Sequence, residues 1–193
     1  MEQATQEPVL SIVGEKVALG PIRRDLVPLY QRWMNDFEVT RTLGASLHPF
    51  TLEAEEAWYE GASKRGNCAR FTLYAREENR PIGNTGLEQI DLANRTAEFG
   101  ILIGEKACWN KGYGTETARL MLDYGFNVLT LHHIYLRVHS NNARGIRAYT
   151  RAGFREAGRL REARRIGRQV HDVILMDCLA TEFGESRLAH LAE

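Results

Sequence analysis

Between Glu98 and Phe154 the hydrophobic period of the chain changes repeatedly, and each change marks an element. Phe99 to Gly104 is a short, nearly continuous apolar run, the pattern of a strand covered on both faces. The polar segment from Glu105 ends in Gly112-Tyr113-Gly114, after which Ala118, Met121, Leu122, Gly125, Phe126 and Leu129 recur at helical spacing. His133 to Ser140 alternates Ile134, Leu136 and Val138 with Tyr135, Arg137 and His139, as a strand with unlike faces does. A second helix follows, capped by Ser140, Asn141 or Asn142, with Ile146 and Tyr149 on one face and Gly153 as its stop. The stretch reads strand, glycine turn, helix, strand, helix.

The flanking chain carries weaker patterns. A strand is expected around Lys16 to Leu19, then a helix from near Asp25 with Leu26, Leu29, Tyr30 and Trp33 as its apolar stripe. Gly44 and Pro49 mark irregular backbone, and Thr51 is placed to cap a further helix with Glu53 in its first turn. Ala69 to Ala75 and Ile82 to Ile90 read as strands joined by the turn REENRP. The segment FREAGRLREARRIGRQVHD, rich in arginine, reads as a solvated hairpin turning near Gly167, or as a basic surface for a partner. His171-Asp172 falls at the start of the apolar run Val173 to Met176, where a surface or turn position is expected. The fold class is α/β. Residues 1–13 are expected to form a flexible tail, 14–180 a single domain and 181–193 a C-terminal tail.

Composition narrows the function classes. The 193 residues suffice for one full core, and 25 basic against 25 acidic residues leave no net charge to favour nucleic acid or an anionic membrane. Cys68, Cys108 and Cys178 have no CxxC spacing, which suits a reducing cytoplasm better than a disulfide framework or a zinc site. No histidine pair has the i, i+4 spacing of a metal-binding face, so no metal is assigned. The N-terminus lacks the basic and apolar regions of a secretory signal, and no apolar run approaches the ~18 residues of a membrane span.

The glycine turn is the first candidate site. Amides at the start of a helix have no intrahelical partner, and glycine lets a ligand approach the backbone, so the turn can hold an anion. It lacks the lysine-serine of a P-loop and the third glycine of a dinucleotide fingerprint, and GYG alone is equally a tight turn. The order EFGILIG, NKGYGTE and NNARGIRAYTRAGF, however, resembles the acetyl-CoA core of the GNAT superfamily of N-acetyltransferases. It is most similar to the branch of ribosomal-protein N-terminal acetyltransferases and spermidine acetyltransferases. The core of the likeness covers Glu98 to Phe154, and a looser likeness runs from about 14 to 180.

The resemblance implies a mixed, mostly antiparallel sheet flanked by helices, with acetyl-CoA as co-substrate. Backbone of Leu102, Ile103 and Gly104 would pair with the pantetheine arm, and the central strand would splay from the strand at His133 to open a slot. Amides of Asn110, Lys111, Gly112, Tyr113, Gly114 and Thr115 would hold the pyrophosphate, although Trp109 stands where the family more often has glutamine or arginine. Asn142 would reach the pantetheine region as well as cap its helix, while Lys111, Arg144 and Arg147 could meet phosphates from the rim.

An amine of pKa about 10 must lose a proton before it attacks a carbonyl. Glu98 fits the family position of the carboxylate that takes it, directly or through water, unless it simply pairs with an arginine. Tyr149 fits the position of the group that assists the departing thiolate, so transfer would be direct, without an acyl-cysteine. The acceptor is expected to be a primary amine on a ribosomal or other protein N-terminus, or a small molecule. A polyamine or amino-sugar acceptor is the alternative, and a non-catalytic acyl-CoA sensor is the alternative from another class. Asp36, Glu38, Glu53, Glu55 and Glu56, read simply as surface charges, would also suit a cationic acceptor. Assembly into a homo-oligomer is left open.

Overall fold

The computed structural model describes residues 7–43, 48–64, 66–184 and 186–188; Gly44, His190 and the outer ends of both expected tails lie outside the described residues. The described strands are β1 (Ile12–Val13), β2 (Val17–Pro21), β3 (Ala69–Ala75), β4 (Arg80–Asp91), β5 (Thr96–Ile103), β6 (His133–His139), β7 (Arg155–Ile166) and β8 (Gln169–Leu179). They form one sheet in the order β1-β2-β3-β4-β5-β6-β8-β7. Every neighbouring pair is antiparallel except β5 and β6, which run parallel. A parallel pair needs a crossover, and the helix after the glycine turn supplies it.

Five helices pack on this sheet among the described residues: α1 (Val27–Met34), α2 (Phe37–Thr40), α3 (Leu52–Ala62), α4 (Tyr113–Asp123) and α5 (Ala143–Ala152). Thr51 caps α3, accepting from the Ala54 amide at 3.2 Å, and Gly153 ends α5 with φ +121°. The expected apolar stripe of α4 is buried, with Ala118, Met121 and Leu122 fully covered. The helix continues into a π-turn over Tyr124–Val128. There a Cβ on Gly125 would stand 2.4 Å from Ile134 Cδ1, so the strand's side chain packs directly on the helix backbone.

Alternation along β5 divides the interior. Ala97 and Phe99 join the main core with α4, whereas Leu102, which points the other way, packs on a smaller cluster of Val27, Tyr30 and Trp33 in α1. In α3 the only fully buried residue is Glu55, so this helix offers the sheet little apolar surface.

Three expectations are corrected. Ile12–Val13 pairs with Ala18 and Leu19, and Ile12 is buried, so the ordered sheet begins inside the segment expected to be a tail. His171 and Asp172 lie within β8, and the Asp172 carboxylate accepts from the Glu162 amide at 2.9 Å and from Arg159 at 3.2 Å across the hairpin. That hairpin turns at Gly167, φ +59°, as its sequence suggested.

The third correction concerns residues 186–188, which are held against the end of α4. Buried Asp123 accepts from the Ser186 hydroxyl, the Arg187 amide (2.7 Å), the Leu188 amide (3.2 Å) and Asn127 Nδ2 (2.8 Å). Replacing Asp123 by alanine strands these donors, each at a cost of about 1–3 kcal/mol when buried. Asp123→Ala is therefore expected to lower unfolding free energy by about 2–4 kcal/mol in urea titration. A loss below about 0.5 kcal/mol, the range of an ordinary surface change, would show that this clasp contributes nothing.

Candidate active site

β5 and β6 are paired only through Thr96↔His133, Ala97↔Ile134 and Glu98↔Tyr135. Beyond that point β5 runs on to Ile103 along β4, and β6 to His139 along β8. The strands part like a fork, leaving the β6-facing edge of Phe99–Ile103 without a strand partner. A cavity of about 450 Å³ fills the fork. Its walls are the open edge of β5, the turn from Cys108 to Thr115, the inner face of α5, and Val39, Thr42 and Leu43 on the far lip.

The glycine turn sits at one end of this cavity. Asn110 and Gly112 both have positive φ, +62° and +86°, and Gly112 is the N-cap of α4. Helices α2, α3 and α5 have side-chain caps, from Asp36, Thr51 and Asn142, whereas α1 and α4 have none. Its first intrahelical bond is Glu116 N to Gly112 O at 3.1 Å, so the amides of Tyr113, Gly114 and Thr115 precede the ladder. Together with the dipole of an eleven-residue helix, they provide an anion-binding end. Arg144, Arg147 and Arg151 of α5 line the same cavity. The Arg144 guanidinium lies 3.7 Å over the Trp109 ring, and Trp109 Nε1 donates to Ile103 O at 2.9 Å. Trp109, where a polar side chain was expected, thus ties the end of β5 to the turn and seats a cation above it.

At the crotch of the fork stands Glu98. Arg137 donates to both its oxygens, Nε to Oε1 at 2.8 Å and Nη2 to Oε2 at 2.9 Å, and Gln89 Nε2 donates to Oε2 at 3.2 Å. Pairing with an arginine, one of the two readings of Glu98, is what the structure contains. Oε1, with one partner, keeps a lone pair for a water or an ammonium. Tyr149 faces the same cavity, its ring edge-on to Phe99 and Phe154 with centroids 6.0 and 6.2 Å away. Burial pushes its phenol up to about 12, with nearby Arg144 opposing the shift.

Leu102, Ile103, Asn110, Gly112, Tyr113, Gly114, Thr115, Asn142, Glu98 and Tyr149 are thus brought to one cavity. Gly104 and Lys111 are not. The Gly104 amide donates to Ile82 O at 2.9 Å, and a Cβ there would fall 2.1 Å from the Trp33 ring, so packing against α1 accounts for this glycine. Lys111 borders a neighbouring recess with Lys16 and Arg76. Asn142 is the cap of α5, accepting from the Gly145 amide at 2.9 Å. Of the five acidic candidates, Asp36 and Glu38 pair with Lys106, and Glu53 and Glu56 are exposed.

Glu55 differs. It lines a second cavity, of about 360 Å³, beneath α3. The two cavities share Leu43, Gly100, Ile101 and Leu102, and a Cβ on Gly100 would meet nothing within 4 Å, so the space in front of that glycine is open. The resemblance sets an acceptor pocket by the loop between α1 and α3, with five acidic candidates; of these Glu55 alone lines this cavity, beside Ala54 and Trp58 of the same helix.

A family model described as an acetyltransferase (GNAT) domain matches residues 16–155. An uncharacterised N-acetyltransferase, p20 of Bacillus licheniformis, is 30% identical over 90% of this chain and 98% of its own length. Human alpha/beta-tubulin-N-acetyltransferase 9 is 32% identical over 75% of each chain. Among solved structures, spermidine N-acetyltransferase from Vibrio cholerae, in complex with CoA and spermine, superposes with a TM-score of 0.81 at 25% identity, covering 88% of this chain and 99% of that one. With a forked parallel pair, an uncapped helix at its open end and a family match across both, the chain belongs to the GNAT acetyltransferase family, whose co-substrate is acetyl-CoA.

Proposed function

We propose that the enzyme transfers the acetyl group of acetyl-CoA directly to a primary amine, with the donor in the fork cavity and the acceptor entering from the cavity beneath α3. The observation that carries this reading is that the two cavities share Gly100, Ile101 and Leu102 as lining, beside the free edge of β5. The pantetheine arm would run along that edge through Leu102 and Ile103, and the pyrophosphate would rest on the amides from Asn110 to Thr115, with Arg144 above.

The acceptor nitrogen bonds to the carbonyl carbon, the carbon–sulfur bond breaks, and the amine proton leaves through Glu98 Oε1 or a water held there. Tyr149 faces the sulfur side. A phenol pushed up to about 12 by burial holds its proton firmly, so it is better suited to donating a hydrogen bond to the sulfur than to giving up the proton outright. Its role is to donate a hydrogen bond that strengthens as charge gathers on sulfur, a contribution made in the transition state and not in the ground state. Cys108 lines the fork cavity but is buried, with Arg80 Nη2 3.7 Å from its sulfur, and it takes no part as a nucleophile in this scheme.

The likeness to a spermidine enzyme supports a small-molecule amine and the likeness to a tubulin enzyme a protein amine; a ribosomal N-terminus remains within the second. The working unit is taken as one catalytic domain. A cytoplasmic site of action fits the three free cysteines. Among the described residues no helix is long and apolar enough to cross a membrane.

Thiol release from acetyl-CoA across an amine panel tests the reading, with at least one amine expected to exceed hydrolysis clearly. Tight CoA binding with no amine-dependent release would favour the sensor instead. Tyr149→Phe is expected to lower kcat about 100-fold while the Kd for CoA changes by less than about threefold. An unchanged kcat would remove the phenol from the mechanism. Gly112→Val places a β-branched residue at φ +86° and is expected to weaken CoA at least tenfold by calorimetry, whereas retained affinity would discredit the anion turn.

A further inference from the structure

Glu55 is 6% exposed and makes no hydrogen bond or ion pair through its side chain with another described residue. A buried carboxylate without a partner is costly, and desolvation pushes this one up from its ordinary range. An arriving ammonium would supply the missing counter-charge. The second carboxylate at this cavity, Glu88, is already taken: Arg70 Nε donates to its Oε1 at 2.6 Å and Arg70 Nη2 to its Oε2 at 2.5 Å. Among the described residues lining the cavity, Glu55 is thus the one carboxylate left for a cation.

The remaining surface is mainly apolar. Tyr30, Met34, Phe50 and Trp58 form its walls, with the Tyr30 and Trp58 rings edge to face at 6.0 Å.

Resting on the acetyltransferase reading, we propose that the cavity beneath α3 selects a monoammonium acceptor with a compact apolar body. Amides of apolar α-amino acids are of this class, whereas polyamines are not. Glu55 receives the ammonium, and the aromatic wall the apolar body. A polyamine would bring further cations for which the described lining holds no second unpaired carboxylate. Similarity of fold to a spermidine enzyme does not carry over that enzyme's acceptor, because function resides in the site.

The test compares kcat/KM for L-phenylalaninamide, L-methioninamide and spermidine in the wild-type chain, Glu55→Gln and Trp58→Ala, with acetyl-CoA affinity measured alongside. The amino amides are expected to exceed spermidine at least tenfold. Glu55→Gln should lower kcat/KM for the amides about tenfold or more, chiefly through KM, with acetyl-CoA affinity unchanged. Trp58, which is 37% exposed, can be cut to alanine with little risk to folding, and Trp58→Ala should erode the preference for amides over spermidine. Spermidine used as well as the amides, or indifference of acceptor KM to Glu55→Gln in folded protein, would overturn the inference and leave the acetyltransferase reading standing. Failure to bind acetyl-CoA, or to release thiol with any amine, would overturn that reading itself.

Discussion

The structure depends on two parallel strands that stop pairing. A sheet satisfies its backbone by continuing its ladders, and β5 and β6 abandon theirs after Glu98 and Tyr135 although both strands run on. The cost is an unpaired edge in the middle of the protein, and the return is a row of peptide groups that a ligand can complete as a strand would. The outer partners hold the parting open. β4 keeps β5 in register to Ile103, β8 keeps β6 in register to His139, and neither strand can swing back without breaking its other ladder.

The helix after the fork follows the same rule of deliberate incompleteness. Glu116 is in the first turn of α4, where it would suit the exposed amides, yet its carboxylate turns outward to the Lys16 amide at 3.0 Å and to that of Glu15. The β1–β2 turn thereby draws off the nearest internal anion, and the donor end of α4 stays available. Sheet edge and helix end both lie open at adjoining corners of one cavity.

Local pattern carried much of this into the sequence. The glycines, the stripe of Ala118, Met121 and Leu122, and the alternation from His133 identify elements because each depends on neighbours a few residues away. The bidentate bond between Glu98 and Arg137 spans 39 positions and depends on strand register, which periodicity does not encode. Gly104 was expected to offer its backbone to the cofactor, but its amide is taken by Ile82 O, a partner on another strand that local pattern does not reveal. Glu55 is hidden among exposed acids on the same helix, and only the seating of α3 over the sheet separates it from Glu53 and Glu56.

The three tryptophans occupy three different environments. Trp33 is sealed against Gly104, Trp58 borders the cavity beneath α3, and Trp109 borders the fork with a guanidinium on its face. Indole emission responds to polarity and to nearby charge, so the molecule carries two optical reporters, one for each chamber, and a shielded internal reference. Single-tryptophan versions would let the order in which the two chambers fill be followed by light alone, with no label attached to either ligand.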